Sequence, residues 1–359
     1  MSEPGTLAIG VDGGASGVRA LAVRRAADGS LEALGPRAER RHAPYAGVDL
    51  ERQQAELGAG VGLDVVRCDE RERERAAARA RAEAAADAIA EAAHGAGARR
   101  VVLGVCWPGR KTADGRGVAV IRHGPRDPDL VGALARGLAA RGLELARPLP
   151  PLASDGVAGA LGEQWAARGL LRETRDALYL AGGSGLAEAL LVGGRVRALD
   201  ALETPLPKAF EVRCADGGNY EDALAPGGWA RAARLTDATG LHAAGDAPVD
   251  WARALRVEPR VAGEVLGRAA RALADYTLDR LARLRALSSF APERAVVGAR
   301  LGELLARPEL SAALLDPAVA ALKRAGLPSG FLRPSCFVDA PCFGAAALAL
   351  GLEEAPCRN

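Results

Sequence analysis

At 359 residues the chain is longer than a single hydrophobic core comfortably serves, so two domains are expected. Its 49% hydrophobic and 26% charged residues, with a formal net charge of +2, are those of a soluble globular protein and leave no strong field for nucleic acid or a membrane surface. No stretch has the apolar length of a membrane span, and Met1-Ser2-Glu3-Pro4 lacks a basic region or signal-like core, which predicts a cytoplasmic protein. The six cysteines, Cys68, Cys106, Cys214, Cys336, Cys342 and Cys357, form no CxxC pair and predict scattered buried thiols rather than a disulfide framework.

The first predicted element is a hairpin. Leu7 to Val11 is a short apolar run, and Val18 to Val23 alternates Val18, Ala20 and Ala22 with Arg19 and Leu21. The tip between them, Gly13-Gly14-Ala15-Ser16-Gly17, carries no bulky side chain. It reads either as an ordinary tight turn or as a phosphate cradle, in which backbone N–H groups approach an anion, Ser16 adds a hydroxyl and Asp12 holds a hydrated Mg²⁺. Leu31 to Leu34 predicts a third strand after the Asp28-Gly29 turn. Residues 36–66 read as a surface loop and then a short helix near Asp49 to Leu57, with His42, Pro44 and Tyr45 within reach of a site.

Glu70 to His94 is an Ala/Arg/Glu run without interior Gly or Pro and predicts a long helix with a solvated charged face. Gly95 and Gly97 end it, and Arg100 to Val105 predicts a buried strand. That strand enters the turn Gly104-Val105-Cys106-Trp107-Pro108-Gly109, a position where α/β folds bind ligands; Trp107 reads equally as a wall for a sugar ring or as packing under the turn. Val118 to Ile121 predicts a strand and Asp129 to Arg141 a helix. Pro148 to Leu152, with prolines at 148, 150 and 151, predicts an extended segment at a boundary or sheet edge.

Val157, Leu161 and Trp165 recur every four positions and predict a helix with Ser154 and Asp155 at its N-terminus. Asp155 has two readings there, an N-cap or a carboxylate that takes a proton from an attacking hydroxyl. The opening device then repeats at Ala177 to Val196: a strand, a tip at Gly182-Gly183-Ser184-Gly185, and a returning strand. Two such hairpins, one per half, suggest a duplicated fold. Val261 to Leu287 predicts a core-facing helix, His242 a surface histidine, Leu310 to Leu322 a helix, and Pro328 to Pro334 a loop before a last strand at Cys336 to Val338.

Taken in order and spacing, these motifs resemble the ROK group of sugar kinases, within the superfamily of actin, Hsp70 and sugar kinases. Asp12-Gly13-Gly14-Ala15-Ser16-Gly17-Val18-Arg19 is similar to the first phosphate motif, Trp107-Pro108-Gly109 to the loop beside the sugar, and Ser154-Asp155 with Ala160-Leu161-Gly162-Glu163 to the Asn-Asp catalytic segment. Gly183-Ser184-Gly185 resembles the second phosphate motif, Val296-Val297-Gly298-Ala299-Arg300-Leu301 the adenosine motif, and Pro341-Cys342-Phe343-Gly344-Ala345-Ala346-Ala347 the closing segment.

The resemblance implies a two-domain actin-like ATPase (ribonuclease H-like) α/β fold with an interdomain cleft, built from an N-terminal domain over 1–152, rejoined by a helix at 344–359, and a C-terminal domain over 153–343. It implies ATP-dependent phosphorylation of a hydroxyl on a sugar or polyol by in-line transfer, with Asp155 as base. Asp12, Gly13, Gly14, Ser16, Gly183, Ser184 and Gly185 would hold the phosphates, Asp12 reaching Mg²⁺ through water, and Gly298 and Ala299 would admit the adenosine. Gly109, Ser154, Glu203 and Glu221 would hold the sugar, and the protein would be a homodimer that binds neither nucleic acid nor membrane.

Departures from the family pattern are specific. Family members carry a GHxx histidine and a CxCGxxGCxE block that bind zinc. Here Cys214-Ala215-Asp216-Gly217-Gly218-Asn219-Tyr220-Glu221 keeps one cysteine, the other positions hold Val212 and Asn219, and no histidine lies between His123 and His242. No zinc is therefore expected. Alanine replaces glycine at Ala15, Ala187, Ala189 and Ala299, and Ser154 replaces an asparagine. A sugar-binding sensor without transfer activity and an activating ATPase are the alternatives. Regulators of the family carry an additional N-terminal helix-turn-helix, which is not expected here because the sequence enters its first strand almost at once, and the cysteine spacing offers no convincing iron-sulfur ligand set.

Overall fold

Leu7–Gly13 (β1) is buried along nearly its whole length, which explains its unbroken apolar run better than a half-exposed strand would. Gly17–Arg25 (β2) returns antiparallel to it with Asp12 opposite Arg19 and Gly13 opposite Val18. The computed structural model describes residues 7–43, 45, 48, 51–53, 55, 68–122, 124–233, 249–287 and 290–352. Two units are resolved: the first takes the described residues up to Arg172 together with 339–352, the second Glu173–Val338. His242, residues 353–359 and most of 54–67 lie outside the described residues, and residues 51–53 are helical within the segment expected to be a short helix.

In the first unit a mixed sheet has the order β3 (Leu31–Ala33), β2, β1, β5 (Arg100–Cys106), β8 (Glu144–Leu145), with β4 (Ala38–Arg41) also pairing with β2. β4 replaces part of the loop expected after residue 36: its Ala-Glu-Arg-Arg sequence carries no strand signal, and pairing with β2 supplies the structure. Helix α1 (Cys68–Gly95) lays Ala78, Ala82, Ala85, Ala86, Ile89 and Ala93 against the sheet, all buried at helical spacing. β6 (Arg110–Lys111) and β7 (Val118–Val120) form a separate ribbon, followed by α2 (Leu130–Ala140).

Helices α3 (Asp155–Trp165) and α10 (Ala340–Ala349) complete this unit. They approach through glycines: a Cβ at Gly162 would lie 1.8 Å from the Ala340 carbonyl oxygen, and one at Gly344 1.7 Å from that of Ala158. α10 sits on the sheet in the same way, over Gly10 and Gly104, which are register partners and whose Cβ atoms would fall 1.7 and 1.8 Å from the carbonyls of Cys342 and Ala345. This packing moves the boundary. α3 belongs with the first unit, which therefore runs to Arg172 rather than ending at 152, and the returning helix starts at Ala340 rather than 344.

The second unit repeats the hairpin start. Its sheet order is β11 (Arg195–Arg197), β10 (Leu186–Val192), β9 (Ala177–Gly182), β12 (Arg294–Gly298), β13 (Leu332–Pro334). Short helices α4 (Tyr220–Leu224), α5 (Pro226–Ala233) and α6 (Trp251–Val257) and the long α7 (Pro259–Leu287) share its core, where Trp229 and Trp251 meet edge to face at 5.7 Å. α8 (Ala299–Leu305) follows β12.

Two sequence expectations are corrected in this unit. The last strand is Leu332–Pro334, not Cys336 to Val338, because an edge strand pairing only with β12 tolerates Pro334 at its end. The helix expected over 310–322 is interrupted by a π-helical turn at Ser311–Leu315 before α9 (Asp316–Arg324) begins. Among the described residues no helix is long and apolar enough to cross a membrane, and Cys106, Cys214, Cys336 and Cys342 are free thiols.

Candidate active site

The first unit brings Asp12 and Asp155 to one end of its sheet by register alone. Asp12 stands opposite Cys106 in the parallel β1–β5 pair, and Cys106 in turn bridges to Ala153, whose N–H donates to the Val105 carbonyl (3.0 Å) and whose carbonyl accepts from Trp107 (3.1 Å). The next residues, Ser154 and Asp155, open α3. Ser154 is the N-cap, its hydroxyl accepting from the Val157 N–H (3.2 Å). The capping reading of Asp155 is thereby removed: the cap is the serine, and the aspartate is the first helical residue, half-buried, accepting the N–H of its neighbour Gly156 (3.1 Å).

Asp12 is the most perturbed carboxylate of this end. Its carboxyl is pushed up to about 6, first by burial, against the opposing pull of Arg19 (3.7 Å), and further by the charges of Asp155 and Asp339. The Cys106 thiol donates to its Oδ1 (3.6 Å), and burial holds that thiol well above its ordinary range. Asp339, just before α10, is held by Arg37 (2.6 Å). Among the described residues no group of three His, Cys, Asp or Glu side chains is placed to hold a metal ion.

The hairpin tip is shaped from behind. A Cβ at Gly13 would lie 2.0 Å from Cε3 of the buried Trp107 ring, so the indole packs under the tip, and of its two readings this is the one observed. A Cβ at Gly17 would lie 2.6 Å from the Arg40 carbonyl of β4. Gly14 closes the tip by donating to the Gly17 carbonyl (2.8 Å), and Ser16 is exposed at its apex. Gly109 is left-handed (φ 91°), and Lys111, which the sequence reading missed, ties down its turn by donating to the Trp107 and Gly109 carbonyls (2.6 and 2.8 Å).

The second unit holds the remaining candidates. Gly183 closes the second tip by donating to the Gly185 carbonyl (2.8 Å), with Ser184 exposed. Glu221 is 7% exposed and accepts the Leu186 N–H (3.3 Å), and a Cβ at Gly185 would lie 3.1 Å from its Oε2, so two separate sequence candidates meet here. Glu203 is exposed in a bend and is not brought to them. Gly298 ends β12 beside Ala181, at the same sheet end as the tip, but the space its missing side chain leaves is filled by the Tyr179 hydroxyl (2.5 Å from a Cβ). Ala299 follows with φ 54°, a conformation that favours glycine. The Cys214 turn is closed by hydrogen bonds, Cys214 N–H to the Gly218 carbonyl (2.8 Å) and Arg213 to that of Gly217 (3.1 Å), while Asn219 caps α4 through the Asp222 N–H (2.8 Å).

No family model and no curated protein sequence matches this chain. Solved structures do, over nearly its whole length. A ROK family glucokinase from Streptomyces griseus, solved with glucose and AMPPNP, superposes with a TM-score of 0.61 at 18% identity, covering 96% of this chain and 99% of that one. The chain has the fold of the ROK sugar kinases. A ROK hexokinase from Thermus thermophilus shares that fold with a TM-score of 0.55 at 22% identity, over 97% and 98% of the two chains. So does a ROK family transcriptional regulator, a homolog of the E. coli MLC protein, at 0.55 and 15%, over 97% of this chain and 80% of that one.

Proposed function

We propose that the protein is an ATP-dependent kinase acting on a hydroxyl of a sugar or sugar-like polyol. One observation carries this reading: Asp155, freed from capping by Ser154, stands at a helix start in electrostatic reach of the largely buried Asp12 beside a glycine-rich tip. That is the arrangement phosphoryl transfer needs, a base for the hydroxyl proton next to a place for the phosphates and their cation.

In this reading Asp155 accepts the proton of the attacking hydroxyl. Asp12 holds Mg²⁺ through water; when bound, the cation neutralises charge on the transferring phosphate. Within the first unit the Gly13-Gly14-Ala15-Ser16 tip is read as a phosphate loop; within the second, Gly183-Ser184-Gly185 is read as another and Gly298 and Ala299 as the adenosine turn. Gly109 and Ser154 in the first unit and Glu221 in the second, which also braces its hairpin, are the sugar-side candidates; Glu203, exposed in a bend, is a candidate from the family resemblance alone. With Val212 and Asn219 at two of the family's cysteine positions, the sugar side in this reading works without zinc. A cytoplasmic homodimer is part of the same reading.

A sugar-binding sensor is the second reading. It is favoured by the engagement of the Glu221 carboxylate with Leu186, which ties up the family sugar ligand, and by the regulator among the structural neighbours. Incubation with ATP, Mg²⁺ and a panel of hexoses, hexosamines and N-acetylated sugars, followed by mass analysis for a phosphorylated sugar, separates the two. A phosphorylated product supports the kinase; sugar binding in calorimetry with no product from any member supports the sensor.

A further inference from the structure

Three arginines are buried among the described residues, and they differ in one respect. Arg126 is bound to Glu74 (2.8 Å) and Arg280 to Glu188 (3.0 Å), each guanidinium facing a carboxylate. Arg81 on α1, 5% exposed, faces none among the described residues: its Nη2 donates to the Ala15 carbonyl at the first hairpin tip (3.0 Å), and its Nη1 is likewise buried without a partner among them. Removing a guanidinium from water without a counter-charge costs several kcal/mol, which is why buried charges are paired almost without exception.

His42 adds a second unmatched group at the same tip. Its backbone N–H donates to the Ser16 carbonyl (3.0 Å), and both ring nitrogens are buried without a partner among the described residues. The imidazole is held down to about 4, by burial first and then by the charge of Arg81. Tyr45 is the charged or titratable neighbour that acts on Arg81 in return. Gly124, at φ 155°, packs against the guanidinium: a Cβ there would lie 2.1 Å from Nη1.

We propose that Arg81 and His42 form a buried oxyanion site behind the first hairpin tip, taking a phosphate or carboxylate group. An oxyanion meets the donors left unmet here. A guanidinium N–H and an imidazole N–H are donors without acceptors, and an oxyanion supplies two acceptors and the missing negative charge. The same ligand chemistry has two sources, free inorganic phosphate or the acidic group of an anionic sugar. The site stands apart from the kinase reading, since neither residue is assigned to nucleotide, base or sugar, and it holds or fails independently of turnover.

The test is carbon NMR of histidine-labelled protein. The chain has four histidines, and His42→Gln identifies the His42 ring signal, which reports this pocket and not anion binding elsewhere. Inorganic phosphate, glucuronate and glucose 6-phosphate are titrated in turn. A saturable shift of the His42 signal with phosphate, lost in Arg81→Gln and weakened at least tenfold in Arg81→Lys, supports the site with a free ion as its source. A shift with either sugar acid alone, equally dependent on Arg81, supports it with the acidic group of an anionic sugar as source. An unmoved His42 signal with all three, or the same shift in Arg81→Gln, overturns the proposal. Circular dichroism checks that the variants fold, and Arg81→Met, which removes the unpaired charge, is expected to raise Tm in anion-free buffer, with phosphate closing the gap; an Arg81→Met protein that melts lower than wild type in that buffer counts against the unpaired charge on which the site rests.

Discussion

The Trp107 indole occupies the place of a side chain at Gly13: a Cβ there would lie 2.0 Å from Cε3, within a ring that is 3% exposed. The glycine of the first phosphate-type motif is therefore required by packing, whatever it offers a ligand. Gly13→Ala is expected to destabilise the first unit by about 2–4 kcal/mol, the range of severe overpacking in a rigid core. In a Trp107→Leu background the same change should cost less, and denaturant unfolding of the four proteins measures the difference as a coupling.

Asp12 and His42 make opposite contributions to pH dependence. The folded Asp12 carboxyl titrates at about 6, above its ordinary 3.8, so the folded state holds its proton longer and is favoured as pH falls from 6 to 4. Above pH 6 that benefit is gone, and the buried ionised group costs the fold on the order of 3 kcal/mol. Asp127, also raised to about 6 by burial, acts with the same sign. His42 is lowered from 6.5 to about 4, so its contribution is full above pH 6.5 and is lost as pH falls to 4. Asp12→Asn should thus raise Tm at pH 7, leave it unraised near pH 4, and steepen the loss of stability between pH 6 and 4. Thermal melts across that range show it.

Arg280 and Glu188 form a buried pair that also holds a loop. The Arg280 guanidinium, fully buried, donates to both Glu188 oxygens (3.0 and 3.4 Å), to the Pro207 carbonyl (2.6 Å) and to the Tyr276 hydroxyl. Arg280→Met leaves the Glu188 carboxylate buried alone and should cost about 3–5 kcal/mol. Glu188→Gln with Arg280→Met should recover part of that loss, measured by urea unfolding.

Ala299 is held at φ 54° where the motif usually has glycine. Ala299→Gly should relieve this strain and leave stability unchanged or raised by up to about 1 kcal/mol, the gain in the folded state being partly offset by the freer unfolded chain. A loss greater than about 1 kcal/mol in thermal unfolding would show that the alanine methyl is itself packed.

Both hairpins, the long α1 and α7 helices and the Ser154-Asp155 junction were legible in the sequence because each is encoded locally, by glycine tips, alternation or helical spacing. The domain boundary was not, because α3 joins the first unit through contacts between Gly162 and Ala340 and between Gly344 and Ala158, far apart in sequence. β4 was hidden for the same reason: Ala38–Arg41 is a strand only because β2 pairs with it. At the site, glycine type could be read but not its cause, so Gly13 and Gly298 suggested room for a ligand where Trp107 and Tyr179 fill the space. Arg19 was readable in principle, since hairpin register sets it opposite Asp12. Arg37, Lys111 and Asp339 carried no such signal.

The central claim rests on Asp155, and ADP release tests it most directly. With ATP, Mg²⁺ and the best acceptor of the sugar panel, the wild-type protein is expected to release ADP only when sugar is present. Asp155→Asn, which keeps the size of the side chain and removes its basicity, should slow that release by at least about 100-fold while nucleotide affinity stays within a few-fold of wild type. Equal sugar-dependent rates in the two proteins, ADP release that ignores sugar, or no release with any acceptor would contradict the account.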